Sequence, residues 1–216
     1  MKKEYIQDIQ EIKTIMQSRS RFLSLSGLSG VLSGLYALVG AYIAYKISIS
    51  ADSMAYQDLK YGTLSPVVIK LFGLATLLVI FSIATAYYFT QKKARANNED
   101  MWTTATKKAL TKFLVPLCTG GIFVLILIWR GDLLLIAPAT LIFYGLALYA
   151  ASDHTVRDIA KLGLAEILLG LICLLYTGKG LFFWAAGFGI LHIIYGLIMY
   201  IKYDRLNATE PIVTSV

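Results

Sequence analysis

Charged residues make up only 15% of this 216-residue chain, whereas 57% of it is hydrophobic. Average soluble domains carry about 25% charged and about 45–50% apolar residues. A chain this short has too much surface to hide so many apolar side chains from water, which argues against an ordinary soluble domain. Histidine and cysteine are also scarce, with two of each. Neither H-E-x-x-H nor C-x-x-C occurs, so the usual zinc ligand sets are missing. No phosphate-binding G-x-x-x-x-G-K-[ST] loop, no G-x-G-x-x-G turn and no nucleophile elbow is present. The expectation is a non-enzymatic protein without cofactor or metal. The net charge of +7 does not point to nucleic acid, because the basic residues sit between apolar runs rather than on one face of a soluble domain.

What is present is a series of long apolar runs. A bilayer core of about 30 Å needs about 20 mostly apolar residues in a helix. Six stretches qualify, at roughly 22–47, 66–90, 110–129, 132–151, 159–177 and 180–201. The connections "RGD" at Arg130 and "TGKG" at Thr177 are short enough to force antiparallel hairpins. The fold expected is therefore all-α: a transmembrane bundle of six spans in three hairpins. An amphipathic helix over 1–21 precedes it and a tail over 202–216 follows. The runs are continuously apolar rather than alternating, which disfavours a β-barrel.

Lys and Arg set the orientation. Lys2, Lys3, Lys13, Arg19 and Arg21 lie before the first span. Lys92, Lys93, Arg95, Lys107, Lys108 and Lys112 lie between the second and third, and Lys202 and Arg205 after the last. The opposite side holds few, so both termini are expected in the cytoplasm. The opening "MKKEYIQDIQEIKTIMQ" carries acids that break up a cleavable signal's apolar region. Its Tyr5, Ile9, Ile12 and Met16 form a helical stripe, suited to lying on the inner leaflet or to docking a cytoplasmic partner. Membrane lipids are the expected surroundings, and a homo-oligomer is a further possibility for the same helix. Cys118 and Cys173 read as buried small hydrophobes. Trp129 and Trp184 read as outer-boundary anchors, and Tyr144, Tyr149, Tyr195 and Tyr200 as inner-boundary anchors. Pro116 and Pro138 read as kinks.

Gly121–Tyr149, "GIFVLILIWRGDLLLIAPATLIFYGLALY", aligns with Gly170–Tyr200, "GLICLLYTGKGLFFWAAGFGILHIIYGLIMY". Each starts with Gly, turns near a second Gly and closes on Tyr-Gly-Leu-x-x-Tyr, which suggests a parallel internal repeat. The segment "RSRFLSLSGLSGVLSGLYALVGAYIAY", behind its charged start, resembles a group of uncharacterised bacterial integral membrane proteins of this length. The two-helix repeats are faintly similar to a bacterial acid-stress membrane family built from hairpins. The resemblance implies a multi-pass protein of the bacterial inner membrane and assigns no activity.

Two features carry most of the interest. Ser26, Gly30 and Gly34 recur at close steps along the first span and form a ridge where another helix can approach. Gly170, Gly189 and Gly196 offer similar surfaces on the last two spans. The second feature is Glu166 and His192, ionisable groups inside spans, where insertion costs several kcal/mol and such residues usually face the bundle interior. With a rise of about 1.5 Å per residue they lie roughly 10 and 14 Å above the inner ends of their spans, close enough in depth to meet. Glu166, Cys173 and Thr177 share one stripe of the fifth span. One reading of Glu166 and His192 is a proton-sensitive pair or the lining of a solute path. The other is a buried hydrogen bond between helices.

Overall fold

A computed structural model describes residues 27–50, 66–96, 100–156, 158–176 and 178–205. The regular structure of those residues is helical throughout. Helix α1 covers Gly27–Ser50, α2 Pro66–Ala96, α3 Thr104–Arg130, α4 Ile136–Ala151 and α5 Asp158–Leu175. Helix α6 starts at Gly180 and changes pitch three times. It is α-helical over Gly180–Trp184, widens to π over Ala185–Leu191, returns to α over His192–Met199 and widens again over Tyr200–Arg205. Five helical stretches are long and apolar enough to cross a membrane: Gly27–Ile49, Pro66–Ala96, Thr104–Arg130, Leu133–His154 and Gly180–Lys202. Helix α5 stands apart, with 18 residues that include Asp158, Lys161 and Glu166.

Local chemistry explains the ends. The Thr103 hydroxyl caps α3 by accepting the Thr106 N–H at 3.2 Å, which satisfies one donor left open at a helix start. Gly131, at φ 78°, closes α3 in the left-handed region that favours glycine. A 3-10 turn over Leu133–Leu135 then leads into α4. Pro138 sits in the first turn of α4, where a missing N–H breaks no hydrogen bond. It helps to start that helix instead of kinking a span. Three boundaries also move. Helices α2 and α3 take up most of the expected loop over 91–113, and α6 continues past the expected tail start at Lys202. The expected N-terminal helix, the outer loop over 51–65, Ser26 and Thr177 lie outside the described residues.

Glycines decide which helices touch. In hydrocarbon no hydrophobic drive pulls apolar helices together, so close van der Waals packing does more of the work. Gly30 lies against Gly196, and a Cβ on it would fall 3.2 Å from the Gly196 Cα. A Cβ on Gly34 would meet Gly189 O at 2.6 Å. The ridge on α1 therefore packs antiparallel on α6. Gly145 and Gly163 face each other, since a Cβ on either would come within 2.6 Å of the other's carbonyl oxygen. Gly170 continues that seam against Pro138 and Ile142, so α5 rests mainly on α4. Helix α2 packs on α1 through Tyr36, Phe81 and Thr85, and α3 packs on α4 through Gly120, Phe123 and Phe143. At one end Asp158 of α5 takes Lys202 of α6 at 2.6 Å and Lys161 at 3.1 Å.

Cys173 is buried, but Cys118 is exposed on α3, contrary to the expectation of burial. Trp129 is 84% exposed, whereas the Trp184 ring lies 5.0 Å from that of Phe188. Gly121 has open space around it, unlike Gly170, its aligned partner in the expected repeat.

Candidate functional site

The seam between α4 and α5 places Glu166. It stands three residues after Gly163 and four before Gly170, so all three share one helical face. Because the glycines bring the α4 backbone close, the Glu166 side chain between them is fully buried, at 0% exposure. The third wall is α6. A Cβ on Gly187 would fall 2.5 Å from Glu166 Oε2 and 2.5 Å from Leu141 Cδ2, with Leu169 of α5 at 3.2 Å. Gly187 is thus the point where α6 meets α4 and α5, and Leu141 is itself fully buried there.

His192 reaches this point through the wide turn. In an α-helix, residues five apart point about 140° away from each other. The π stretch over Ala185–Leu191 carries i→i+5 geometry and brings Gly187 O and the His192 ring to one side. His192 Nδ1 lies 3.0 Å from Gly187 O. A carbonyl only accepts, so Nδ1 carries the hydrogen and donates. In the neutral ring Nε2 is then an acceptor, and the Tyr144 hydroxyl donates to it over 2.8 Å. Both ring nitrogens are satisfied without Glu166. The carboxylate oxygen Oε1 sits 3.4 Å from Nδ1, inside ion-pair range. Among the described residues, neither Glu166 oxygen has a hydrogen-bond partner.

Aromatic rings enclose the Nε2 side. The Tyr144 ring lies 5.4 Å from His192 and 5.0 Å from Phe188, and Phe113 of α3 meets Tyr144 edge-on at 6.1 Å. Among the described residues no three metal-ligating side chains gather. Burying one carboxylate against one imidazole gives a place to hold a proton or a single charge.

The structure brings Glu166 and His192 together. Cys173 lies on the same buried stripe, about two turns along α5 at 3.6 residues per turn. Gly30, Gly34, Gly170, Gly189 and Gly196 all stand at helix contacts. Gly189, His192 and Gly196 follow three- and four-residue steps along α6 but do not share a partner. Gly189 and Gly196 face α1, while the His192 ring turns to α4.

Tyr144 is the residue that sequence reading misplaced. Rather than anchoring at the boundary, it is half-buried and bonded to His192. The signal was depth. Tyr144 is seven residues from the end of its expected span, roughly 10 Å in, which is the depth of Glu166. Removing this hydroxyl with Tyr144→Phe should lower stability by about 1 kcal/mol, the usual scale for an interhelical hydrogen bond in a membrane. Thermal unfolding in detergent measures it, and an unchanged Tm would mean that the bond contributes nothing.

The fold and site define a class: an all-helical protein with several helices fit to cross a membrane and a buried acid–imidazole–phenol cluster. No protein-family model matches the sequence, and the searches of curated proteins and of solved structures gave no match.

Proposed function

We propose that this is a six-span protein of a bacterial cytoplasmic membrane, in three hairpins with both termini inside, acting as a non-enzymatic sensor or modulator. The Glu166–His192–Tyr144 cluster is its responsive element. One observation carries this reading: Glu166 is fully buried with no hydrogen bond to either oxygen, while His192 is satisfied by Gly187 and Tyr144. The bond that joins helices here is the one from Tyr144 to His192. A purely structural role leaves Glu166 unexplained, because a buried carboxyl group without a hydrogen bond costs stability.

The antiparallel contact of α1 with α6 supports the topology, since Gly27 at the start of α1 lies beside Tyr200 near the end of α6. The basic clusters support the cytoplasmic side. A reporter enzyme active only outside the cytoplasm, fused after Val216, should stay silent in intact cells. Activity there would reverse the orientation.

The test of function compares wild type, Glu166→Gln and a deletion strain across acid, alkaline and osmotic stress. The variant is expected to behave as the deletion while reaching the membrane at normal levels. Full complementation by Glu166→Gln would defeat the sensor reading. A second reading, a small solute or lipid transporter, draws on the π turn beside the cluster, since such turns are frequent at functional sites. Flux in proteoliposomes that disappears with Glu166→Gln would favour it. Loss of a co-purifying partner on deleting residues 1–18 would favour the sensor.

A further inference from the structure

The space around Glu166 limits what it can bind. One added carbon on Gly187 would already lie 2.5 Å from Oε2 and 2.5 Å from Leu141, so neither a metal ion with its shell nor an amine fits between them. A proton is small enough for that gap. Charge points the same way. An ionised Glu166 beside a neutral His192 leaves one net negative charge in a low-dielectric interior, and nothing bonded to it. The titratable groups facing the pair are each other and Tyr144 of α4. Helix α1 meets this part of α6 with Gly30, Gly34 and Leu38, and α3 meets Tyr144 with Phe113. Asp158 lies eight residues away along α5, roughly 12 Å, and is engaged with Lys161 and Lys202.

We infer that Glu166 and His192 together bind one proton, taken up at His192 Nε2 by way of the Tyr144 hydroxyl, with the Glu166 carboxylate as counter-charge. The inference rests on the sensor reading above and names its stimulus. Before uptake Tyr144 donates to Nε2. The Tyr144 hydrogen passes to Nε2 as the arriving proton bonds to the Tyr144 oxygen, which then accepts the new N–H. The Nδ1 hydrogen stays between Gly187 O and Glu166 Oε1, at heavy-atom distances of 3.0 and 3.4 Å. One positive charge on the ring then balances one negative charge on the carboxylate, and the pair becomes neutral. The proton is the pair's rather than either residue's.

The chain has two histidines, His154 and His192, so His154→Asn leaves a single reporter. Nitrogen-15 spectra of that protein in bilayers, from about pH 5 to 8 where imidazoles ordinarily titrate, read the ring directly. The expected result is an Nδ1–H neutral ring at the alkaline end and a doubly protonated ring at the acid end. Glu166→Gln should lose the doubly protonated signal over that range. Glu166→Leu is the second variant, replacing the unbonded carboxyl with hydrocarbon of similar size. Identical titration with and without the carboxylate overturns the proposal. So does a His192 ring that takes no second proton with Glu166 in place, which needs no substitution at the site to fold. The measurement involves no phenotype: a proton site intact alongside full complementation by Glu166→Gln would retire the sensor and leave the site standing.

Discussion

Replacing Gly196 by leucine is expected to lower stability by about 3 kcal/mol, the upper end of the usual overpacking cost. The reason is the hardness of what surrounds it. A Cβ there would fall 2.5 Å from Val31 N, 2.7 Å from Gly27 O and 2.9 Å from Gly30 C. All three are backbone atoms of α1, and none can rotate away as a side chain does. The helices must separate, and with them the contacts of Gly30 and Gly34. For a chain of this size such a loss corresponds to a fall in Tm of roughly 6–12 °C. Gly73→Ala and Gly121→Ala are the comparisons, because nothing else among the described residues lies within 4 Å of a Cβ added at either position. They should gain about 0.5–1 kcal/mol from the backbone alone. If Gly196→Leu melts with wild type, α1 does not pack on α6.

The second large effect is a contrast at one position. Glu166→Lys should cost about 3–5 kcal/mol, the scale for a buried charge left without its partner. The ammonium would face an imidazole whose Nδ1 is a donor, inside a pocket walled by Leu141, Leu169 and Gly187. Glu166→Leu should instead leave stability within about 1 kcal/mol of wild type or raise it, because the buried carboxyl makes no hydrogen bond that the change would break and hydrocarbon of similar size carries no polar desolvation cost. Thermal unfolding and the yield of monodisperse protein in detergent measure both. A fold that survives Glu166→Leu with its cellular role lost would separate function from architecture. A Glu166→Leu protein that cannot fold would mean that the carboxylate is structural after all.

Gly30 and Gly34 advertised a close helix contact in the sequence, because small side chains every three or four residues leave a groove on any helix. The partner was not legible, since apolar helices carry no complementary code for one another in lipid. Glu166 and His192 announced themselves by being ionisable inside apolar runs, and their similar depths anticipated the meeting at 3.4 Å. Tyr144 did not, because a tyrosine near a span end resembles an interfacial anchor until its partner is known. Gly187 was no more visible. Its part depends on a π turn, and i→i+5 bonding leaves no periodic trace in so short a stretch.

By itself, then, the sequence determined the helical class, the number of long apolar runs and the two ionisable residues set among them. Those follow from solvent and spacing, which act on each residue locally. The tertiary structure alone decided that α1 lies on α6, that α5 lies on α4, and that the acid stands unbonded beside an imidazole held by Tyr144. Such outcomes depend on which backbones approach within a few ångströms, a property of pairs of helices that no single stretch of sequence contains.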